Sequence, residues 1–419
     1  MNDLYSFMRN NTLSRDKLNY EVGSTKNIHY GDIHTKFAAL FDIAKEHVPY
    51  VNSTEETPDA ESEDYCVEGD LIFADASEDT NDVGKCMEIV RLRGQQLLSG
   101  QHTILARRKD DTLVVGFGGH LFRSGLIRSR IEKEAQGTKV YQISPSRLGG
   151  LKITFPGNKA EQQKIADCLT SLDEVIAAQA RKVEALKAHK RGLMQQLFPR
   201  EGETRPRLRF PEFRDAPEWN DRSLGSMTTK VGSGITPRGG DKNYKTEGRS
   251  FMRSQNVGWG QLLLDEIVFI DESTHASFDG TEIAESDVLL NITGASIGRS
   301  AIADNRIAGG NVNQHVCIIR TRQDELNPVL LNQFLISERG QEQIDSFQAG
   351  GNRQGLNFSQ IRSFQIPLPP TRGEQQRIAD CLSSLDTQIT AESNQLAALK
   401  AHKQGLMQQL FPAPEATGA

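Results

Sequence analysis

The sequence of 419 residues lacks the cysteine arrangements that mark zinc sites and disulfide frameworks. Its five cysteines form no CxxC pair and no CxxC…HxxxH spacing, so we expect reduced thiols in a cytoplasmic protein. No apolar run approaches the ~18 residues that can span a membrane. The first residues show no basic region followed by an apolar stretch, so no signal peptide is expected. The net charge of −6 does not indicate a nucleic-acid binder, and any DNA contact must depend on local basic patches.

The motifs of nucleotide-dependent and metal-dependent catalysis are also missing. The segment 294–300, GASIGRS, only imitates a GxxxxGK[ST] phosphate loop, and we predict a turn there. The nearest string to the Asn/Asp-Pro-Pro-aromatic motif of an amino-methyltransferase is 366–370, IPLPP, which lacks both the polar residue and the aromatic one. No HExxH motif or cluster of metal ligands is present. We therefore expect no catalytic residue and no metal site, with catalysis on other chains.

One segment of the sequence is written twice. Residues 161–199 and 374–412 align without a gap at an offset of 213, and 27 of the 39 aligned positions are identical. The same offset pairs Gln101-His102 with Gln314-His315 and Arg107 with Arg320. Upstream, with a slightly different offset, GDLIF at 69–73 resembles SDVLL at 286–290. The repeat predicts two halves of similar fold and divergent sequence, related by pseudo-twofold symmetry.

Each repeated segment has the apolar spacing of a long coiled-coil helix. Alternating steps of three and four residues keep one stripe on one side of a helix roughly 60 Å long. Polar residues interrupt both stripes at matched places, Gln179 with Glu392 and Lys190 with Lys403, and such polar positions fix register. Proline ends each helix. The predicted apolar seam consists of Ile165, Leu169, Leu172, Ile176, Val183, Leu186, Leu193 and Leu197 in the first copy, and of Ile378, Leu382, Leu385, Ile389, Leu396, Leu399, Leu406 and Leu410 in the second.

The pattern leaves two arrangements open for these helices. In the first, the two copies pair antiparallel as a coiled coil; in the second, each is an amphipathic helix buried on a large core. The regions between them are typical of mixed α/β domains, with strands predicted at 113–117, 267–270, 287–292 and 316–320 and a short helix between Pro328 and Gln348. The bridge at 200–219, rich in arginine and proline, predicts an extended but ordered strap.

Both halves carry a basic patch within the acidic whole. From Glu55 to Asp82 there are twelve acids and no Lys or Arg, whereas from Lys85 to Lys152 thirteen bases face five acids, a net of +8. Basic patches bind phosphates, and Arg, Asn and Gln can read base edges. The alternative is that these residues lie on ordinary solvated loops. The candidate DNA contacts are Lys26, Arg91, Arg93, Arg107, Arg108, Lys109, Arg123, Arg128, Arg130 and Lys139 in the first half, and Lys230, Arg238, Lys242, Lys245, Arg253, Asn256, Arg299, Asn313, Asn352 and Arg353 in the second. We expect alanine at Arg107 or Arg253 to weaken DNA binding and to leave assembly intact.

The chain resembles the specificity subunits of type I restriction-modification systems. The resemblance is carried by the EQQ…QQLFP signature of both repeats, by LRFPEF at 208–213 with Trp219, and by GITP at 234–237. The first half lacks the proline-tryptophan lead found at 217–219, and the acidic segment 55–82 has no counterpart in the family pattern. The resemblance implies an α+β fold of two mixed α/β target-recognition domains separated by two long helices in an antiparallel coiled coil. The implied segments are 1–156 (first recognition domain), 157–199 (first helix), 200–217 (linker), 218–369 (second recognition domain), 370–412 (second helix) and 413–419 (flexible tail).

The resemblance also implies a function and a set of partners. Each half would read one part of a split double-stranded DNA target, and the helices would set the spacing and dock two methyltransferase subunits. Two restriction/translocase subunits would complete the assembly, and S-adenosylmethionine, Mg²⁺ and ATP would be bound by those partners and not by this chain. A non-enzymatic coiled-coil adaptor between proteins is the alternative, and the basic patches favour DNA over it. The recognised bases cannot be read from one sequence.

Overall fold

The computed structural model describes residues 1–52, 63–278, 280–348 and 355–411. The chain divides into two compact units, the first comprising Met1–Ala180 with the residues from Gln395 onward, and the second comprising Arg181–Asn394. Each long helix therefore contributes one part to each unit, whereas the predicted segments kept each helix whole. Among the described residues, no helix is long and apolar enough to cross a membrane.

The first unit is built around a five-stranded sheet. Its described elements are the strands β1 (Tyr5–Met8), β2 (Leu18–Asn19), β3 (Thr25–Ile28), β4 (Leu40–Asp42), β5 (Tyr50–Val51), β6 (Leu71–Ala74), β7 (Ala76–Ser77), β8 (Cys86–Arg91), β9 (Gln96–Ser99), β10 (Thr103–Arg108) and β11 (Tyr141–Gln142), and the helices α1 (Tyr30–Thr35), α2 (Phe117–Phe122), α3 (Gly125–Glu134), α4 (Pro145–Gly150) and the long α5 (Lys159–Leu197). The sheet order is β1-β10-β6-β8-β4, and a second sheet has the order β2-β5-β3-β9. The central strand β6 reads LIFA and is buried throughout, as a continuous apolar run predicts.

The second unit has a smaller central sheet. Its described elements are β12 (Asn220–Ser223), β13 (Thr228–Ser233), β14 (Arg249–Met252), β15 (Val268–Ile270), β16 (Val288–Asn291), β17 (Ser300–Ile302), β18 (Asn311–Val312), β19 (Val316–Thr321) and β20 (Gln365–Leu368), with α6 (Glu272–Ala276), α7 (Pro328–Leu335), α8 (Glu338–Ser346), α9 (Phe358–Ser363) and the long α10 (Arg372–Leu410). The sheets have the orders β13-β19-β16-β17, β15-β14-β18 and β12-β20. Helix α7 begins where sequence predicts, because Pro328 occupies its first turn and the Asn327 side chain accepts hydrogen bonds from the amides of Val329 and Leu330.

The two long helices have 39 residues each, and their predicted stripes are shielded from solvent. None of the sixteen predicted apolar seam residues is exposed. Within the second unit, Lys182 pairs with Glu392 at 2.6 Å and Lys190 with Asp386 at 2.6 Å, so the helix segments there run antiparallel. Within the first unit, Lys403 pairs with Asp173 at 2.5 Å. Lys403 and Asp386 stand 213 residues after Lys190 and Asp173, so the same lysine–aspartate pair forms once in each unit.

A buried ion pair ties the strap to the start of α10. Glu374 accepts hydrogen bonds from Arg209 Nε at 2.7 Å, from a terminal nitrogen of Arg209 at 2.8 Å and from Trp219 Nε1 at 3.1 Å. Glu374 and Trp219 are each 1% exposed. The strap is thus ordered as predicted, but it contains turns and a short 3-10 helix at Pro211–Phe213 instead of a fully extended backbone.

Two local predictions from the sequence are corrected by the structure. Residues 113–117 are a turn and not a strand, because Gly116 adopts φ of +93° and Phe117 begins α2. The helix expected between Pro328 and Gln348 is two helices, α7 and α8, separated by Ser337, whose side chain caps α8. The other three strands lie where they were predicted, at β15, β16 and β19.

Glu88, in β8, is a buried carboxyl group of the first unit. Its Oε2 accepts a hydrogen bond from the Gly119 amide at 2.7 Å, while Oε1 has no partner among the described residues. Burial raises the pKa of Glu88 to about 7 although backbone amides of α2 oppose the shift. The folded chain therefore holds this proton more tightly than the unfolded chain, and stability falls as the pH rises from about 4.5 to about 7.

Glu88→Gln is expected to remove this pH dependence, because a neutral amide has no charged form to bury. The difference between the two proteins in the free energy of unfolding should change by roughly 2–3 kcal/mol between about pH 5 and about pH 8. This difference is measured by urea unfolding of the first unit, with hydrogen exchange of the β8 amides as the probe. Parallel pH profiles for the two proteins would show that the carboxyl group titrates normally.

Candidate nucleic-acid interface

An equivalent Asp–Arg pair links two neighbouring antiparallel strands of the central sheet in each unit, β6 with β10 and β16 with β19. In the first unit, Arg107 of β10 donates two hydrogen bonds to Asp70, at 3.2 and 3.0 Å. In the second, Arg320 of β19 donates two to Asp287, at 2.7 and 2.8 Å. Each aspartate also accepts from the amide three residues before it, at 2.8 and 2.7 Å. The weak upstream repeat therefore corresponds to the same local structure in both units.

A pair of equivalent turns precedes those arginine-bearing strands. The first turn comprises residues 100–102, Gly-Gln-His, between β9 and β10; the second comprises 313–315, Asn-Gln-His, between β18 and β19. The Gly100 amide donates to the Ile28 carbonyl at 3.0 Å, and the Asn313 amide donates to the Met252 carbonyl at 2.9 Å. The strand pairs beneath them, β3 with β9 and β14 with β18, are both parallel and share this register. The two turns thus occupy the same position in the two units.

A basic segment lies beside each turn. In the first unit, residues 9–17 carry Arg9, Arg15 and Lys17, and the Asn10 side chain donates to the Thr103 carbonyl at 2.7 Å. In the second unit, the Gly234 amide donates to the Asn313 carbonyl at 3.2 Å. The side chains of Arg238, Lys242 and Lys245 in residues 234–245 are exposed and form no hydrogen bond or ion pair to a described residue. Such cations remain available for phosphate.

Arg253 lies next to this second basic segment. Its guanidinium group stands 5.3 Å from the ring centroid of Tyr244 and donates to the Glu266 carbonyl at 2.8 Å. The equivalent position of the first unit, immediately after β3, is His29, whose pKa is lowered by burial and by the charge of Arg15. The residue at this position thus differs between the units, while the strand that presents it is the same.

Most predicted cations of the first half are engaged by the fold. Arg91 and Arg93 pair with Asp42, Arg107 with Asp70, Arg108 and Arg130 donate to the carbonyls of Leu113 and Lys152, and Lys26 stands over the ring of Tyr50. Only Lys109 and Lys139 of that set are exposed without such a partner among the described residues. The charge count of the first half therefore overstates the positive surface that can meet DNA.

Arg123 and Arg128 each use the guanidinium group for hydrogen bonds within the fold. Arg123 donates to the carbonyls of Cys86, Phe37 and Ala38, and burial lowers its pKa. Arg128 donates to the carbonyls of Asn81 and Val83, and burial also lowers its pKa. Both guanidinium groups donate hydrogen bonds to backbone carbonyls of the fold, so a structural role alone accounts for an arginine at each position.

In the second half the predicted residues divide in a similar way. Asn256 is buried; its side chain accepts a hydrogen bond from the Arg253 amide and donates one to the Leu263 carbonyl, so its amide group is engaged within the fold. Asn313 is also buried and accepts from the His315 amide. Lys230 donates to the Glu282 carbonyl, and its pKa is lowered by burial and by Arg320. Arg299 is half-buried with no such partner among described residues. Asn352 and Arg353 lie outside the described residues.

The sequence did not reveal that Asp70 and Asp287 form ion pairs with Arg107 and Arg320. It also did not reveal that the Tyr244 ring lies beneath Arg253. The weak upstream repeat contained the signal for the aspartates, since GDLIF and SDVLL place Asp70 and Asp287 at matched positions. The repeat also pairs the Gln-His dipeptides, which now prove to lie on equivalent turns. No group of three or more His, Cys, Asp or Glu able to hold a metal occurs in the part of the chain that the structure describes.

Comparisons with known proteins find similarity to subunits of type I restriction systems. Residues 218–401 match the family described as the type I restriction modification DNA specificity domain. The MjaX specificity subunit of a type I restriction enzyme from Methanocaldococcus jannaschii is 22% identical over 420 residues, covering 98% of this chain and 91% of that protein. The MjaVIII specificity subunit from the same organism is 21% identical over 290 residues, covering 68% of this chain and 67% of that protein.

Solved structures share the fold. A type I restriction-modification S subunit from M. genitalium superposes with a TM-score of 0.61 at 16% identity, covering 98% of this chain and 95% of that one. A chain from a study of complex assembly and conformational transition of the type I R-M system gives a TM-score of 0.53 at 17% identity, covering 98% of both chains. The coiled-coil adaptor alternative is not favoured by these relatives. Over nearly its whole length the chain is thus similar to type I restriction-modification specificity subunits, and residues 218–401 match the DNA specificity domain of that family.

Proposed function

We propose that this chain is a non-catalytic specificity subunit that reads a split target in double-stranded DNA, one part with each unit. The observation that carries the proposal is the equivalent placement of a polar turn beside a basic segment in both units, at residues 100–102 with 9–17 and at 313–315 with 234–245. Polyanion binding needs such local cations in a chain of net charge −6. The differing residues around the two turns would give the units different sequences to read.

We further propose that the two long helices form a continuous antiparallel coiled coil that relates the units by a pseudo-twofold axis and sets the spacing of the two half-targets. The shielded stripes and the repeated Lys190–Asp386 and Lys403–Asp173 pairs support this arrangement. One turn of DNA is about 34 Å, so a rigid spacer of roughly 60 Å reaches between half-sites. The duplicated helices would also dock two methyltransferase subunits, joined by two restriction/translocase subunits that, with the methyltransferases, bind S-adenosylmethionine, Mg²⁺ and ATP.

Arg253→Ala tests the reading surface of the second unit. We expect the complex with the methyltransferase subunits to bind its target duplex roughly tenfold more weakly, because the arginine stands beside unpaired cations and can reach a base edge or phosphate. Arg306→Ala is the matched control, since Arg306 is already paired with Asp304 at 2.7 Å. Equilibrium binding at low and high salt measures the change, and normal affinity at both would refute the assignment of Arg253.

Glutamate at both Leu186 and Leu399 tests the spacer. The two charges should open the seam and change the spacing that is tolerated between half-targets, because each leucine lies in a shielded stripe. Glutamate at the exposed neighbours Ala185 and Ala398 is the control and should leave the spacing unchanged. Binding to duplexes whose central gap is lengthened or shortened by single base pairs gives the readout. If the seam variant keeps the spacing of the unaltered protein, the helices do not set it.

A further inference from the structure

The Gln-His dipeptides of the two turns are identical although the residues around them differ. Gln101-His102 and Gln314-His315 follow Gly100 in one unit and Asn313 in the other. The His102 carbonyl accepts from the Asp75 amide at 3.1 Å, and the His315 carbonyl accepts from the Ile292 amide at 3.0 Å. The backbone position of each histidine is therefore the same, while the residue that bonds to it is not.

The side chains of the two histidines have different partners within the fold. The His102 ring nitrogen lies 3.3 Å from the Asp75 carboxylate, whereas His315 Nδ1 lies 2.6 Å from Thr293 Oγ1. His102 adopts φ of +56°, a conformation that costs energy for histidine and that His315 does not share. Gln314 and His102 are exposed. A dipeptide retained in two different local settings, on the surface, indicates contact with something that both units meet.

The neighbouring charges favour DNA as that common contact. Both turns are hydrogen-bonded to a basic segment, through Asn10 and the Gly100 carbonyl in the first unit and through Gly234 and the Asn313 carbonyl in the second. Thr236 of the second basic segment also donates to the Gln314 side chain. Two units that read different bases still share one feature of the ligand, its phosphodiester backbone. Amide and imidazole N–H groups are ordinary donors to phosphate oxygens.

We infer that Gln101-His102 and Gln314-His315 bind the DNA phosphate backbone, one dipeptide in each half-target, and fix each unit on the duplex without contributing to base choice. This inference rests on the proposed function. Base discrimination then belongs to the positions that differ between the units, such as His29 in the first and Arg253 in the second.

The test uses the full chain in complex with its methyltransferase subunits. The variants replace both residues of one dipeptide by alanine, Gln101→Ala with His102→Ala, or Gln314→Ala with His315→Ala. The matched controls are Gln136→Ala in the first unit and Gln323→Ala in the second, both exposed glutamines outside the Gln-His turns and the long helices. Probes are the target duplex, duplexes with one half-target scrambled, and target duplexes ethylated at single phosphates.

Each double variant is expected to bind all duplexes roughly tenfold more weakly, with unchanged preference among them. In ethylation interference, each should lose its sensitivity at phosphates of one half-target only, a different half for each variant. Altered base preference would assign the dipeptides to base reading. Normal affinity, or loss of the methyltransferase subunits in the absence of DNA, would also overturn the inference, the latter in favour of a protein contact. An unaltered complex without any sequence preference would instead refute the proposed function itself.

Discussion

Glu374→Ala is expected to lower the free energy of unfolding of the second unit by about 3–5 kcal/mol. The substitution removes the carboxylate that receives two hydrogen bonds from Arg209 and one from Trp219. Arg209, whose side chain is 8% exposed, would be left as a buried charge without its counterion. The remaining donations from Arg209 to the carbonyls of Ala216 and Pro217 do not neutralise that charge.

Urea unfolding followed by tryptophan fluorescence measures this loss directly. The two tryptophans of the chain, Trp219 and Trp259, both belong to the second unit, and Trp219 touches Glu374 itself. Glu161→Ala is the matched control. Glu161 is the equivalent residue at the start of α5, but it is exposed, so its loss should change stability by no more than about 0.5 kcal/mol. Equal effects of the two substitutions would show that the strap does not stabilise the start of α10.

Arg107→Ala is expected to destabilise the first unit by about 3 kcal/mol, and Arg320→Ala the second unit by a similar amount. Asp70 and Asp287 are 1% exposed or less, and each loses the arginine with which it forms an ion pair. Replacing both partners with leucine, at Asp70 and Arg107 together, should restore most of the lost stability, because no buried charge then remains unpaired. The sequence suggested DNA binding for Arg107, whereas its ion pair with Asp70 in the central sheet predicts an effect on stability first.

Hydrogen exchange of the β10 amides Ile104–Ala106 measures the first of these effects, and tryptophan fluorescence measures the second. Lys109→Ala is the control, since this exposed lysine follows the same strand. If Arg107→Ala weakens DNA binding while the β10 amides stay as protected from hydrogen exchange as in the unaltered protein, Arg107 contacts DNA. If the double leucine variant at Asp70 and Arg107 is as unstable as Arg107→Ala, the unpaired charge is not the cause of the destabilisation.

Regular elements could be predicted from local pattern. The long helices begin within two residues of the predicted bounds and end two residues before them, because the stripe and the terminal prolines are encoded in consecutive residues. The strands β16 and β19 were evident from short runs of branched apolar residues. By contrast, 113–117 has the same apolar character, and a single left-handed glycine turns it into a helix entry.

The site could be predicted only in outline, because the role of a charged side chain depends on partners far along the chain. Asp70 forms an ion pair with Arg107, 37 residues later in the sequence. Arg123 donates hydrogen bonds to the carbonyls of Cys86 and Phe37, which are also distant in the sequence. No local pattern distinguishes these arginines from Arg238, which remains exposed. The internal repeat carries more information than charge, since it aligns Asp70 with Asp287 and the two Gln-His turns. What it cannot carry is the base choice of each unit, which depends on residues that the two halves do not share.

The central claim, that two units read two parts of one target, is tested most directly by mapping modified bases. The chain would be expressed together with the methyltransferase subunit of its system in a host without DNA methylation, and the methylated positions of the whole genome would be sequenced. The account predicts one bipartite motif, two short specific parts separated by a gap of fixed length and unspecified sequence. A single uninterrupted motif, or methylation without any motif, would contradict it.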